Sequence, residues 1–282
     1  MKADLHVHST ASDGTLRPSE LIALALRLEV DVLAIADHDS VSGLDEAQRS
    51  SAEEPLTLVP AVELSAAIDD HDVHILAYYI DPSSPLLLEE LAALRLDRER
   101  RADEIVGALQ VGGIPVSMDD VLAYSKGGAV GRSHIARALV GMGHADSVAV
   151  AFDRYIGRGR DFYRAKRSRT PAEVVDSIRS SGAVPVLAHP GVTAADELIP
   201  AMVDSGLLGI EAYHAEHTLQ QRDRYVRMAH DLGLITTGGT DYHGPQARNP
   251  ELGSVAVPES SVRALLRFGP GTASAAALDG PA

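Results

Sequence analysis

Short apolar runs alternate with helical patterns along most of this chain. The runs are rich in aliphatic and β-branched residues and predict strands at 3–8, 31–36, 56–64, 73–80, 183–188, 207–213 and 234–239, with a weaker one at 254–257. Helical spacing of apolar positions follows at 171–181, 196–205 and 218–232, and a helix with Pro18 near its start lies between the first two strands. This order predicts an α/β fold in which βα units form a mainly parallel sheet.

The alternation stops between residues 81 and 183. A charge-laced amphipathic pattern over 85–110 predicts one long helix, which is ended by two consecutive glycines. Shorter helices are predicted to follow from three N-capping residues, Ser117, Ser133 and Asp146. We therefore expect an all-helical insertion, the cap, at 96–168. The scaffold would comprise 1–95 and 169–268, followed by a disordered tail at 269–282.

Polar residues interrupt the apolar pattern where the strands end. In the first strand His6 and His8 alternate, so both imidazoles project from one face, and Asp13 follows five residues after His8. Burying such groups unpaired is costly, and a bound metal ion would offset that cost. In barrels of βα units, the chemistry lies at the C-terminal ends of the strands. Nine side chains at these positions are candidate metal ligands: His6, His8, Asp13, His38, Glu63, His74, His189, Asp241 and His243.

Nitrogen and oxygen donors without thiolate suit Zn²⁺, Mn²⁺ or Fe²⁺. Nine donors are too many for one ion, so we expect two or three neighbouring sites. Closely spaced ions generate a hydroxide nucleophile and hold both oxygens of an in-line phosphoryl displacement. Asp4 and Asp37 are predicted to accept hydrogen bonds from the ring N–H groups of ligand imidazoles.

Composition narrows the classes of function. The 282 residues are 45% hydrophobic and include no cysteine, which excludes disulfides and thiolate sites. We find no signal pattern and no apolar run of the roughly 20 residues that span a bilayer, so we expect a soluble, cytoplasmic protein without a membrane partner. The net charge of −15 disfavours long double-stranded nucleic acid. The segment 154–169 is basic in contrast to the rest of the chain, because it contains seven basic residues and one acidic residue. No feature predicts an obligate protein partner.

Five motifs resemble those of the polymerase-and-histidinol-phosphatase (PHP) metallophosphoesterases, and they occur in this order: "DLHVHSTASDGT", "IADHDSVSGL", "VPAVELSA", "AHPG" and "GGTDYHG". The similarity is greatest to the branch that acts on 3′,5′-nucleotide bisphosphates or trims short RNAs from the 5′ end. It spans nearly the whole chain. The resemblance implies a distorted (β/α)7 barrel with the helical insertion.

The resemblance also implies a trinuclear metal site. His6, His8, Glu63 and Asp241 would hold one metal together with the catalytic, metal-bound water. Glu63 would bridge to a second metal bound by His74 and His189. A third metal would be held by Asp13, His38 and His243.

The segment "VGRSHIARAL" in the predicted cap also matches that branch, in which the corresponding segment contacts the substrate phosphate. Arg132 and His134 lie at a predicted helix start, where free N–H groups and the helix dipole favour anions. We expect these two residues, together with His217 and Tyr163, to bind the substrate. The stretch after Gly157 departs more from the branch.

The leading hypothesis is a metal-dependent phosphatase or phosphodiesterase that acts on small nucleotides such as pAp and trims short 5′-phosphorylated RNA. One alternative is a histidinol-phosphate phosphatase, which shares the scaffold. Another is an accessory PHP module that binds metal without catalysis. A metal-storage or sensing protein is disfavoured, because Arg132 and the basic segment imply an anionic ligand.

Overall fold

Seven strands form one sheet in sequential order in a computed structural model that describes residues 1–68, 71–125, 127–166, 169–194, 196–245 and 250–270. The strands are β1 (Ala3–Val7), β2 (Val32–Ile35), β3 (Thr57–Ile68), β4 (His71–Tyr78), β5 (Val184–Leu187), β6 (Gly209–His214) and β7 (Ile235–Gly239). A parallel bridge between Val7 and Tyr242 brings the end of β1 beside the residues that follow β7. The sheet is therefore a nearly closed barrel, and the predicted α/β barrel fold is confirmed.

The strands are buried on both faces. Every residue of β1, β2 and β5 is buried. β2 and β5 are therefore continuous apolar runs, whereas β1 alternates apolar residues with the buried polar residues Asp4 and His6. Gly239 in β7 permits the close approach to β1, because a Cβ there would lie 2.5 Å from the Cβ of His6. The polar side chains of β1 are thus enclosed by the barrel.

One strand runs against the others. β4 pairs antiparallel with both β3 and β5, whereas the remaining neighbours pair in parallel. The beginning of β4 therefore lies at the same rim as the C-terminal ends of the parallel strands. A residue near the start of β4, such as His74, meets that rim only because of this reversal.

Helices surround the barrel and form the cap. They are α1 (Pro18–Arg27), α2 (Leu44–Ser51), α3 (Pro85–Val111), α4 (Met118–Ser125), α5 (Arg132–Gly141), α6 (Val148–Ala151), α7 (Pro171–Ser180), α8 (Pro190–Thr193), α9 (Ile199–Asp204), α10 (Leu219–Asp231) and α11 (Glu259–Leu266). A π-helical turn, Phe152–Ile156, continues α6. None of the described helices is long and apolar enough to cross a membrane. The cytoplasmic location stays a prediction.

The long helix α3 takes part in two separate apolar clusters. Its first half packs Leu87, Leu91 and Leu94 into the barrel core. Its second half packs residues such as Ile105 and Leu109 against α5 in a cluster of the cap. The domain boundaries at 95/96 and 168/169 stay a prediction.

Several predicted boundaries need correction. The run 254–257 forms no strand in the described part of the chain; it is apolar because Val257 packs into the barrel core. The helix predicted to follow Ser133 begins at Arg132, after Gly131. The helix predicted to follow Asp146 is capped by Ser147, whose Oγ accepts the Val150 N–H. Residues 271–282 of the predicted tail lie outside the described residues.

Candidate metal centre and active site

All nine predicted ligands come together at the rim of the barrel. They form four groups, in each of which the possible ligand atoms lie within 4.8 Å of one another: His6 with His8 and Asp241, His6 with Glu63 and His189, His38 with Glu63 and His74, and His8 with Asp13, His38 and His243. His71, also at the start of β4, belongs to none of these groups of described residues. The residues come from six strands or the loops that adjoin them, so the site exists only in the folded barrel.

The spacing within the group around His6 and His8 matches a metal-binding polyhedron. The two Nε2 atoms lie 3.1 Å apart, and His8 Nε2 lies 2.9 Å from Asp241 Oδ1. Glu63 Oε2 lies 3.3 Å from each of the two Nε2 atoms. Ligand atoms placed tetrahedrally at about 2.1 Å from an ion lie about 3.4 Å from one another.

Glu63 presents its two oxygens to different neighbours. Oε1 lies 2.8 Å from His74 Nδ1 and 3.0 Å from His189 Nε2. Oε2 faces His38 Nδ1 at 2.9 Å, in addition to the two histidines of β1. The side chain is fully buried, and although burial opposes its ionisation, His38 and His74 hold its pKa well below the usual range. Each oxygen of Glu63 therefore lies close to different candidate ligands, and Glu63 belongs to two of the four groups.

The group around Asp13 lies on the other side of His8. His243 Nε2 is 3.1 Å from Asp13 Oδ1, and the rings of His8 and His243 stack with centroids 4.2 Å apart. Because His6, His8 and His38 each belong to two groups, the division of the nine residues among three separate ions stays a prediction.

The residues present fit divalent metal ions. Among the described residues, buried side-chain atoms that make no well-aligned hydrogen bond are concentrated here, although several lie close to another candidate ligand atom: His8 Nδ1, Asp13 Oδ1, His38 Nδ1, Glu63 Oε2, His189 Nδ1 and His214 Nε2. Buried polar atoms normally make hydrogen bonds, so this group of four imidazole nitrogens and two carboxylate oxygens requires an explanation. A set of imidazoles and carboxylates without thiolate is suited to Mn²⁺, Fe²⁺ or Zn²⁺.

Glu211, the third residue of β6, contacts two of these residues, and the sequence reasoning missed this role. Its Oε1 lies 3.0 Å from His6 Nδ1, and its Oε2 accepts the main-chain N–H of His189 at 2.8 Å. A carboxylate there keeps the proton on Nδ1 of His6 and leaves Nε2 free to bind metal. The signal was a glutamate within a buried apolar strand, "GIEAYH".

The predicted role of Asp4 and Asp37 is wrong. Asp4 accepts hydrogen bonds from the N–H and hydroxyl of Thr240 and from Gly253 N–H. Asp37 accepts three hydrogen bonds from residues of the loop after β1. Both short carboxylates satisfy loop groups near the rim instead of ligand imidazoles.

Two candidate ligands have left-handed backbone conformations. The φ angles are 28° at His189 and 52° at Asp241, a region that few residues other than glycine adopt. Asp241 N–H donates to the carbonyl of His6 at 2.8 Å, and His189 N–H donates to Glu211. Such strain persists only where surrounding contacts impose it, and it is concentrated at functional sites.

Three cations lie beside this centre and share one carboxylate. Arg132 Nη2 donates to Asp72 Oδ2 at 2.7 Å, Arg101 Nη2 lies 3.4 Å from the same oxygen, and Lys166 Nζ lies 3.8 Å from Oδ1. Lys166 Nζ is also 3.0 Å from His74 Nε2, and burial lowers the pKa of its ammonium group to about 7. We call Arg101, Arg132 and Lys166 the basic cluster. They line a cavity of about 130 Å³ together with Asp13, His38 and His74.

The other predicted substrate-binding residues have different surroundings. His134 is fully buried, its Nδ1 accepts the Gly131 N–H at 3.0 Å, and burial lowers its pKa to about 4. His217 uses both ring nitrogens on main-chain groups, at Ala212 O and Gly191 N–H. The ring of Tyr163 lies 5.7 Å from the Arg132 guanidinium. Substrate binding by these three side chains stays a prediction.

When the sequence is compared with known protein families, residues 4–154 match the PHP domain. The chain belongs to the PHP domain family. This PHP protein is 35% identical over 250 residues to a 5′-3′ exoribonuclease of Haemophilus influenzae, covering 86% of this chain and 90% of that protein. It is 31% identical over 256 residues to a 3′,5′-nucleoside bisphosphate phosphatase of Chromobacterium violaceum, covering 89% and 90%.

A solved structure supports the same family. A candidate metal-dependent phosphoesterase of Bifidobacterium adolescentis superposes with a TM-score of 0.88 at 35% identity, covering 95% of this chain and 96% of that one. The PHP protein is accordingly a metal-dependent phosphoesterase, a hydrolase of phosphoester bonds. The predicted family and enzyme class are confirmed.

Proposed function

We propose that this PHP protein removes the 3′-phosphate from 3′,5′-nucleoside bisphosphates such as pAp and trims short 5′-phosphorylated RNA. Both reactions break the same bond. The oxygen of a water molecule adds to phosphorus, the P–O3′ bond breaks, and O3′ receives a proton. In RNA the phosphorus also carries the next nucleotide through O5′, whereas in the bisphosphate it does not. One site therefore serves both substrates, in agreement with the activities named for the relatives of the chain.

The observation that carries the proposal is the basic cluster beside the candidate ligands. Metal ions neutralise the reacting phosphate, so a mononucleotide with one phosphate has no need of further cations. A second phosphate would replace Asp72 as the partner of Arg132, Arg101 and Lys166. Arginine suits this role because its planar guanidinium binds two phosphate oxygens at once.

We further propose two or three divalent ions, drawn from Mn²⁺, Fe²⁺ and Zn²⁺. Bound ions would lower the pKa of a water molecule and stabilise negative charge on the phosphate. His6, His8, Glu63 and Asp241 would hold the ion associated with that water. Glu63 would use its second oxygen for the ion held by His74 and His189. Asp13, His38 and His243 would hold the third.

The substitution Arg132→Ala tests recognition of the second phosphate. It should lower kcat/KM for pAp by roughly 10- to 100-fold, because a hydrogen bond to a charged group contributes about 1.5–3 kcal/mol. The loss for p-nitrophenyl phosphate should be much smaller, since that ester has no second phosphate. The metal content should not change, as Arg132 is not a ligand. Arg100→Ala, at an exposed arginine of α3, is the matched control.

Three other results would indicate a different role for Arg132 or a different function for the protein. Equal losses on both esters would mean that Arg132 acts on the reacting phosphate. Hydrolysis of histidinol phosphate but not of pAp would favour the histidinol-phosphate phosphatase. Metal binding without hydrolysis of any of these esters, or of a 5′-phosphorylated dinucleotide, would favour the accessory module.

A further inference from the structure

A groove larger than the basic cavity opens beside the metal centre. Its volume is about 1370 Å³, which exceeds the roughly 300–1,000 Å³ of most small-molecule sites. One wall is a stripe of α5 formed by Ser133, Arg137 and Gly141, residues spaced four apart on one helix face. Arg132 and Ile135, by contrast, line the cavity of the basic cluster. The two openings therefore use different faces of the same helix.

The groove is continuous with the candidate metal ligands. Asp13 and His243 line it, and Asp13, Ser133 and Phe152 line both the groove and the basic cavity. The Ser133 hydroxyl donates to Asp13 Oδ2 at 2.6 Å, so these two side chains lie between the openings, and an RNA strand that reaches both would pass over them. The arrangement thus has a position for a phosphate on one side of the metal centre and a longer channel on the other.

The groove also carries positive charge. Arg158 and Arg160 line it, and both are exposed. Arg158 makes no ion pair with any described residue, and Arg160 pairs at 2.7 Å with Asp153, which is 74% exposed. An exposed ion pair of this kind contributes little stability, so a phosphate would readily take the place of Asp153. These cations stand out in a protein whose net charge is −15.

The groove also offers aromatic surface. Tyr124 lines it and is 39% exposed, and Phe152 lies where the groove meets the basic cavity. The hydroxyl of Tyr124 rests against Gly141, where a Cβ would collide with it, so the glycine allows this tyrosine to lie on α5. Aromatic side chains beside exposed arginines form the usual surface on which single-stranded nucleic acids stack their bases.

We propose that this groove binds the nucleotides of a single-stranded RNA that lie 3′ of the bond that is broken. The inference rests on the proposed function. The leaving nucleotide would have its 5′-phosphate at the basic cluster, and the phosphorus at the metal centre would carry the remaining strand through O5′ into the groove. Arg158 and Arg160 bind backbone phosphates of that strand, and Tyr124 stacks on a base. A 3′,5′-nucleoside bisphosphate has no nucleotide 3′ of the broken bond, so it does not occupy the groove.

The test compares two substrates of the manganese-loaded full-length protein: a 5′-phosphorylated tetranucleotide RNA and pAp. The double variant Arg158→Ala/Arg160→Ala and the single variant Tyr124→Ala should each lower kcat/KM for the tetranucleotide by roughly tenfold or more. Both variants should hydrolyse pAp at the wild-type rate. In the wild type, kcat/KM should fall more steeply with salt for the RNA than for pAp, and the double variant should lose this difference.

Two matched variants control for general effects. Arg154→Ala removes an exposed arginine of the same segment that does not line the groove, and Leu122→Ala removes an exposed apolar side chain of α4. Neither should alter RNA cleavage. Equal losses on RNA and pAp, or no loss on either, would overturn the assignment. A wild-type protein that hydrolyses pAp but not RNA would overturn the groove assignment and the proposed trimming of RNA, and would leave the proposed hydrolysis of bisphosphates standing. A wild-type protein that hydrolyses neither would overturn the whole proposed function and the groove assignment with it.

Discussion

Glu211 holds two parts of the candidate metal centre at once. One oxygen faces His6 Nδ1, and the other accepts the N–H of His189, a residue with a left-handed backbone. Burial opposes ionisation of this carboxyl, but His6, His214 and His189 together keep the pKa of Glu211 below its ordinary value. A neutral amide would keep the shape of the side chain without the charge that orients the imidazole.

Glu211→Gln should therefore weaken metal binding by about 10- to 100-fold while leaving the barrel folded. Titration of metal-free protein with Mn²⁺, followed by calorimetry, measures the affinity, and circular dichroism checks the fold. Glu216→Gln, at an exposed glutamate of the following loop, is the control. Metal affinity equal to that of the wild type would show that Glu211 does not orient His6.

At the scale of elements, the cap is attached to the metal centre through α5. Ser133 Oγ donates to Asp13 Oδ2 at 2.6 Å, and Arg137 Nη2 donates to the carbonyl of Asp13 at 2.5 Å. From α3, Arg98 forms an ion pair with Asp39 and donates to Ser65 Oγ at 2.8 Å. The cap therefore contacts the loops that present the candidate ligands, and its position and theirs depend on each other.

Ser133→Ala removes one of these contacts without altering a predicted ligand. Since a hydrogen bond to a carboxylate contributes about 1.5–3 kcal/mol, kcat/KM for pAp should fall by roughly tenfold or more. Amide hydrogen exchange in the first turn of α5 should become faster. Ser117→Ala, which removes the cap of α4, is the matched variant. If both variants have the same effect on kcat/KM, the contact with Asp13 is not the cause of the loss.

At the scale of the whole molecule, part of the net negative charge comes from carboxylates inside the barrel. Glu63 and Glu211 are fully buried, and Asp13 and Asp241 lie close by. Imidazoles neutralise part of this charge. Divalent ions would neutralise more and would bind only the folded chain, because the ligands are far apart in sequence.

Removal of metal by a chelator should therefore lower the melting temperature by roughly 8–16 °C. The estimate takes about 4 kcal/mol for an ion at 1,000 times its Kd and about 2–4 °C per kcal/mol for a chain of this size. Elemental analysis of carefully loaded protein should find more than two metal equivalents per chain, and Glu63→Gln should lower the occupancy of two sites together. A single equivalent that does not rise with added Mn²⁺ would contradict the trinuclear site.

Most of the fold and of the candidate site could be predicted because both depend on local sequence. Strands buried on both faces are mostly apolar, so all seven strands were recognisable as apolar runs even where polar residues interrupt them. The nine polar residues were conspicuous because apolar strands rarely end in imidazoles and carboxylates without a chemical reason. The run at 254–257 was misassigned because a segment that covers the core is as apolar as a strand.

The amino-acid sequence by itself determined the type of fold, the family and the residues of the candidate metal centre. Only the tertiary structure decided how those residues meet. The reversal of β4 brings His74 to the rim, Glu211 takes the place predicted for Asp4 and Asp37, and Asp72 draws Arg132 towards Lys166. The physical reason is that strand direction and hydrogen-bond partners depend on groups distant in sequence. Burial, in contrast, restricts the type of residue at each position and can therefore be recognised in the local sequence.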